Sequence, residues 1–208
     1  TIANTESKLS KHVVITIARE YASGGRYIGK LVADKLGIKL YDNEFISKVA
    51  EETGLSEEYI ENNEQKRDIL ATLNNGYYSG LNNSDELFIK ESEMIKEVAD
   101  KESCVIVGRC ADFILADREN VINVFVYSDM EDKINRATTY YGMDKDKAEK
   151  EINRIDKLRA NHYKYYTEKE WDNHSNYDIC INSDAFGVEK SADLICELVE
   201  SKLEMVNA

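Results

Sequence analysis

Four short stretches of this 208-residue sequence carry residue types suited to phosphate chemistry. The first is "AREYASGGRYIGK", residues 18–30, with Arg19, Ser23, Gly24, Gly25, Arg26 and Lys30. Glycine lets backbone N–H groups approach an anion closely, and arginine grips phosphate oxygens with two parallel hydrogen bonds. The second stretch, "LYDNEF", holds Asp42, and the third, "VIVGRCADFIL", holds Arg109 and Asp112. The fourth, "NRIDKLRANHYKYY", residues 153–166, holds Arg154, Asp156 and Arg159. Cations converging on a phosphoryl group, with carboxylates to orient them, are what phosphoryl transfer requires, because its catalysis is largely positioning and charge stabilisation.

Each stretch also has an ordinary explanation. Paired glycines let a helix start pack closely, Asp42 can cap a following helix, and Arg109 can be a lone surface arginine. Charge runs on helices are usually solvated faces. Two loop patterns can be compared with the first stretch. The dinucleotide pattern G-x-G-x-x-G would need glycine at 24, 26 and 29, and Arg26 breaks it. The phosphate-loop pattern G-x-x-x-x-G-K-[ST] has the right length. Aligned from the preceding strand, Arg19 takes its first glycine, Gly24 its second, Gly25 its lysine and Arg26 its Ser/Thr. The lysine and the magnesium-binding hydroxyl are therefore missing. Arg26, in the first helical turn, is the expected replacement cation, with Lys30 one turn further on. Ser23 or water would have to hold the metal.

The elements that must position these residues follow from periodicity. Val13–Ile17 reads as a strand buried on both faces. From Gly24 the period becomes helical, with Ile28, Leu31, Val32 and Leu36 on one face and Gly37 as the stop. A short strand at 38–42 precedes a helix ending near Gly54, then a polar segment, 55–85. A helix over 84–101, capped by Ser84 or Asp85, would bury Leu87, Ile89, Met94, Ile95 and Val98. Strands follow at 104–108, 121–127 and 177–182. Between them lie a short helix at 111–116, one after Ser128 as cap, a long charged segment over 144–166 and a loop over 167–176. An amphipathic helix over 188–206 closes the chain. Strands alternating with helices imply a parallel sheet covered on both faces. Its carboxyl edge is where such sheets bind ligands, and the loop, Asp42 and Arg109 all fall there.

Composition narrows the class. A net charge of −13 opposes general nucleic-acid binding but leaves a small anionic nucleotide possible, since a pocket sets its own potential. The four cysteines show no metal-binding spacing and read as reduced, mostly buried thiols. No apolar run reaches membrane-span length, and the polar start lacks a signal-peptide core, so a cytoplasmic protein is expected. Residues 1–11 are expected to fray. Proline is absent, so Gly, Asn and Asp must make the turns.

Taken together, "ITIAREYASGGRYIGKLVADKLG", "LYDNEFI", "CVIVGRCADFIL", "RIDKLRANHYKYYTEKEW" and "NYDICINS" resemble the cytidylate kinase-like family. The likeness runs from about residue 13 to 200 and is weakest over 55–85. It implies one P-loop nucleoside monophosphate kinase-like domain over 12–208, a three-layer α/β sandwich. Its five-stranded parallel sheet would have the order 2-3-1-4-5. Residues 55–85 would cover the acceptor, and about 141–174 would form a helical lid. The implied activity transfers phosphate from ATP, with Mg2+, to CMP or dCMP. By position, Arg19, Ser23, Gly24, Gly25 and Arg26 would touch the donor phosphates. Asp42, Arg109 and Asp112 would face the acceptor, with Arg109 on its phosphate. Arg154 and Arg159 would be lid arginines oriented by Asp156. Cytidylate kinases proper keep the P-loop lysine that this chain lacks. A nucleotide-binding regulatory module and a kinase of another small acceptor therefore stand as alternatives. Partners would be small nucleotides, with no nucleic acid and no membrane.

Overall fold

The computed structural model describes residues 12–42 and 83–205. The helix expected after Asp42, nearly all of segment 55–85 and the N-terminal 11 residues lie outside them. The first strand, β1 (Val14–Arg19), is the middle of a five-stranded parallel sheet. Its neighbours are β3 (Cys104–Val107) and β4 (Val121–Tyr127), with β2 (Lys39–Tyr41) and β5 (Ile179–Asn182) at the edges. The order β2-β3-β1-β4-β5 is the one implied by the family resemblance. Val14 pairs with both Cys104 and Val121, so the three central strands are in step from their first residues.

Side chains alternate between the sheet's faces with the period of two that strands impose. Val13, Ile15 and Ile17, with Val105 and Val107, face one layer. That layer is α1 (Gly25–Leu36) and α6 (Ser183–Met205, broken at Gly187). Ile28, Val32 and Leu36 of α1 meet Ile195 and Val199 of α6 there. Val14 and Ala18, with Cys104 and Ile106, face the other layer. It is built from α2 (Asn83–Lys101), the short α3 (Ala111–Ile114), Tyr163 and Trp171. Burial of both faces explains why β1 is a continuous apolar run rather than an alternating one.

Two more helices, α4 (Met130–Tyr141) and α5 (Lys145–Thr167), sit beyond the carboxyl edge. A small core of Ala22, Ala137, Ala148 and Ile152 joins them to the loop after β1. The C-terminal part of α5 turns back onto α2, where Tyr166 stacks on Phe88 at 3.7 Å between ring centres. The segment expected as a loop after it contains one 3-10 turn, His174–Asn176, and buries Trp171 edge-on against Phe125.

Several local expectations are corrected. The helix α2 starts at Asn83, before both proposed caps, Ser84 and Asp85. Ile89 is exposed, and the buried stripe runs Leu87, Glu91, Met94, Ile95, Val98 instead. Spacings of three and four keep that stripe on one face, whereas Ile89 lies two residues, about 200°, from Leu87. Ser128 is not the cap of α4. Asp129 occupies that position, and the Ser128 hydroxyl donates to Asp132 at 2.8 Å. Cys104 and Cys110 are buried, but Cys180 is exposed, and all four cysteines are free thiols. Among the described residues no helix is long and apolar enough to cross a membrane.

Candidate functional site

The loop between β1 and α1 is shaped by a few backbone features. Glu20 N–H donates to the Val126 carbonyl at 2.9 Å, extending the β1–β4 ladder by one residue. Ala22 and Gly24 then adopt left-handed conformations, with φ of 59° and 81°. The first helical bond runs from Ile28 N–H to the Gly24 carbonyl. The N–H groups of Gly25, Arg26 and Tyr27 thus precede any helical acceptor and sit at the positive end of the α1 dipole. An anion is favoured there.

The loop forms one wall of a cleft of about 890 Å³ at the carboxyl edge of the sheet. Arg19, Gly24, Gly25, Arg26, Asp42, Arg109, Asp112, Arg154 and Arg159 all line it, so stretches far apart in sequence meet in one cavity. Ser23, expected at the donor phosphates, does not line it. It is fully buried, its hydroxyl donates to the Glu20 carbonyl at 2.9 Å, and its carbonyl accepts from Ser183 Oγ at 2.6 Å. Asp156 also lies outside the lining, because its carboxylate is turned into an ionic network behind the loop.

Each cation of the cleft is held differently. Arg26 is exposed, and its Nε lies 2.5 Å from Asp42 Oδ2, so a loop residue and an expected acceptor residue pair with each other. Arg154 is bonded two-pronged to Glu151, one turn earlier on α5, at 2.8 and 2.6 Å. The Arg154–Glu151 pair is exposed on both sides and contributes at most about 1 kcal/mol, whereas Asp42, the partner of Arg26, is mostly buried. Arg109 is mostly buried and pairs with Glu91 at 2.8 Å. It sits in a run of three positive φ angles, Gly108 to Cys110, at 79°, 62° and 53°. Left-handed backbone at two non-glycine residues costs free energy, and such strain clusters at functional sites. Arg159 donates from Nη1 to the Arg19 carbonyl at 3.0 Å and lies over the Tyr21 ring at 5.5 Å. Burial, with Arg19 close by, brings its pKa down to about 9.

In the network behind the loop, Asp156 Oδ1 accepts from Tyr21 N–H at 2.6 Å, and its Oδ2 lies 3.6 Å from Lys133 Nζ. Lys133 donates to Glu20 Oε2 at 3.0 Å, and Glu20 also accepts from Ser128 N–H. Arg159 is 3.7 Å from Asp156 on the same turn of α5. The network therefore fastens the loop after β1 to both α4 and α5, and Asp156 contacts Arg159 while serving as a bracket for the loop.

Glu20, Lys133 and Glu91 are absent from the residues that the sequence singles out. Glu91 was detectable as a carboxylate inside an apolar stripe of helical spacing. Lys133 was not, since an isolated lysine in a charged helix looks like any surface residue.

Asp112 is buried on the first turn of α3 and accepts from the Tyr163 hydroxyl at 2.6 Å. Burial pushes its pKa up, and the Tyr163 bond and nearby amides only partly oppose this. A carboxyl whose folded pKa exceeds its unfolded one contributes stability below the unfolded value and loses it as pH rises through the folded value. Asp112→Asn keeps an acceptor for Tyr163 but cannot titrate. Urea midpoints of the variant, measured from mildly acidic to neutral pH, are expected to fall less with rising pH than those of the wild type. Parallel curves would refute the assignment.

Among the described residues no group of three or more His, Cys, Asp or Glu is arranged to hold a metal ion. With the Ser23 hydroxyl committed to Glu20, the described residues do not form a magnesium cage.

The family model described as "Cytidylate kinase-like family" matches residues 14–185 of the chain. A cytidylate kinase of Archaeoglobus fulgidus is 26% identical over 191 residues, covering 90% of this chain and 95% of that one. The crystal structure of an uncharacterized protein from Eubacterium ventriosum is 29% identical with a TM-score of 0.72, covering 91% of this chain and 99% of that one. Shikimate kinase from Bacteroides thetaiotaomicron shares the fold at 17% identity and a TM-score of 0.56, over 90% and 98% of the two chains.

Proposed function

The chain belongs to the cytidylate kinase-like family, and from that membership we propose that it transfers the γ-phosphoryl group of MgATP to a nucleoside monophosphate, CMP or dCMP. The observation that carries the proposal is the single cleft joining the loop, Arg109 and the lid arginines. In this reading the free N–H groups of Gly25 and Arg26 receive the donor phosphates, and Arg109 binds the phosphate of the acceptor. Arg154 and Arg159 reach the cleft from α5, Arg159 beside the loop through its bond to the Arg19 carbonyl. An acceptor phosphate oxygen forms the new bond to the γ-phosphorus as the bridge to the β-phosphate breaks, and ADP leaves. The protein's part is alignment and neutralisation of charge. Asp42 releases Arg26 when the donor arrives, an exchange of one ion pair, exposed on its arginine side, for a charge-assisted phosphate contact.

Turnover in an ADP-release assay with a panel of monophosphates and other small acceptors tests the proposal. CMP and dCMP are expected to be the preferred acceptors. No turnover with any acceptor at millimolar MgATP would end the kinase reading. The missing lysine favours one alternative, a regulatory module that binds nucleotide without chemistry. Calorimetry showing tight nucleotide binding by an inactive protein would select it.

A narrower test concerns the loop. Lys30 is exposed and is not part of the cleft wall, whereas Arg26 is. Arg26→Ala is expected to weaken triphosphate binding several-fold and Lys30→Ala hardly at all. Equal losses would remove Arg26 from the donor site.

A further inference from the structure

The position that carries lysine in the P-loop pattern is Gly25, and its surroundings show why no side chain stands there. A Cβ atom on Gly25 would lie 2.5 Å from the Cβ of Arg19 and 3.0 Å from its Cγ. These are stem atoms held by the end of β1, and they cannot swing aside as a side-chain tip could. Arg19 in turn occupies the first glycine of the pattern. Its guanidinium extends across the cleft to Gly108, where an added Cβ would meet Nη1 at 2.6 Å and Cζ at 3.3 Å. Gly25 is thus required beside the stem of Arg19, and the head of the same side chain rests against Gly108.

The side chain spans from Gly25, which its stem touches, to Gly108, next to Arg109, which its head touches, and all four residues line the cleft. Among the described residues the Arg19 guanidinium makes no hydrogen bond or ion pair, whereas Arg26, Arg109, Arg154 and Arg159 all have one. Burial and the nearby Arg26 lower its pKa, and Asp42 and Asp156 offset this only in part. A half-buried, unpaired cation is costly unless a ligand supplies the missing charge.

We infer that Arg19 and Gly25 are a reciprocal exchange, in which the phosphate-binding cation of the loop is delivered from position 19 instead of position 25. Arg19 then bridges the β- and γ-phosphate oxygens of the donor, and Arg26 plays the secondary part. The inference rests on the donor-binding reading given above.

The exchange can be reversed. Three variants, Arg19→Gln, Gly25→Lys and the double variant Arg19→Gly/Gly25→Lys, are titrated with MgATP by calorimetry and assayed for ADP release. Thermal melting checks each fold. Arg19→Gln is expected to melt near the wild-type temperature and to bind MgATP roughly 10- to 100-fold more weakly, the size of a lost charge-assisted phosphate contact. Gly25→Lys alone is expected to melt lower and bind poorly, because its Cβ meets the Arg19 stem. The double variant, with the Arg19 stem removed, a tight 3.2 Å contact to Val126 Cβ left and a lysine restored, is expected to bind better than either single variant. If Arg19→Gln binds MgATP as the wild type does, the exchange is refuted while donor binding stands. A folded double variant no better than the singles also refutes it. If the wild type binds neither MgATP nor inorganic tripolyphosphate, both the inference and the donor reading fail.

Discussion

Replacing Lys133 with methionine is expected to lower folding stability by about 3 kcal/mol or more, the effect of stripping the cation from a buried ionic cluster. Lys133 is 7% exposed, and its partners Glu20 and Asp156 are 26% and 16% exposed. Methionine keeps much of the length of the side chain but leaves two carboxylates facing an apolar tip. Because Glu20 is partly solvated, the loss should fall at the lower end of the range for buried pairs. It should also exceed the loss from breaking the Arg154–Glu151 pair by Arg154→Ala, since that pair is exposed on both sides and worth at most about 1 kcal/mol. Urea denaturation of Lys133→Met, Glu20→Gln and the double variant checks this. Contact residues of one network are expected to be non-additive, by about 0.5–3 kcal/mol. Simple additivity would show that the cluster does not act as a unit. Activity should fall with stability, since Glu20 and Asp156 fix the backbone of the loop that lines the cleft.

That cluster also marks the limit of what could be read from the sequence. The sheet was legible because β1, β3 and β4 are apolar runs of strand length separated by helical periods. Its strand order was not, and it came only from the family likeness. Most cleft residues were legible because arginines and glycines at strand ends are few and conspicuous. Their partners were not. Nothing in "MEDKINRATTYY" distinguishes Lys133 from the exposed charges around it, because its partners Glu20 and Asp156 come from distant parts of the chain. Ser23 shows the reverse failure. A hydroxyl beside two glycines suggests a phosphate ligand, yet the left-handed turn at Ala22 points it back to the Glu20 carbonyl. Side-chain direction in a loop depends on φ angles that local residue type does not determine. The close approach of Arg19 to Gly25 was hidden for the same reason, since the irregular backbone between them makes it.

The second large effect is expected at Arg109. Its guanidinium faces the cleft on one side and Glu91 on the other, and Glu91 is 2% exposed. Arg109→Met leaves that carboxylate buried without its guanidinium and is expected to cost about 3–5 kcal/mol of stability. A loss of acceptor binding in this variant alone would be ambiguous, because a destabilised cleft binds poorly for any reason. The double variant Glu91→Leu/Arg109→Met separates the two roles. Replacing a buried ion pair with apolar side chains is often neutral or stabilising. A leucine in place of Glu91 would extend the apolar stripe of Leu87, Met94, Ile95 and Val98. The urea midpoint of the double variant is therefore expected to return close to the wild-type value. If Arg109 binds the acceptor phosphate, titration with CMP should still show affinity reduced roughly tenfold or more, the size of a lost charge-assisted contact. Recovery of both properties would mean that Arg109 is only the counter-ion of Glu91. Recovery of stability without recovery of CMP binding would place the acceptor phosphate on Arg109.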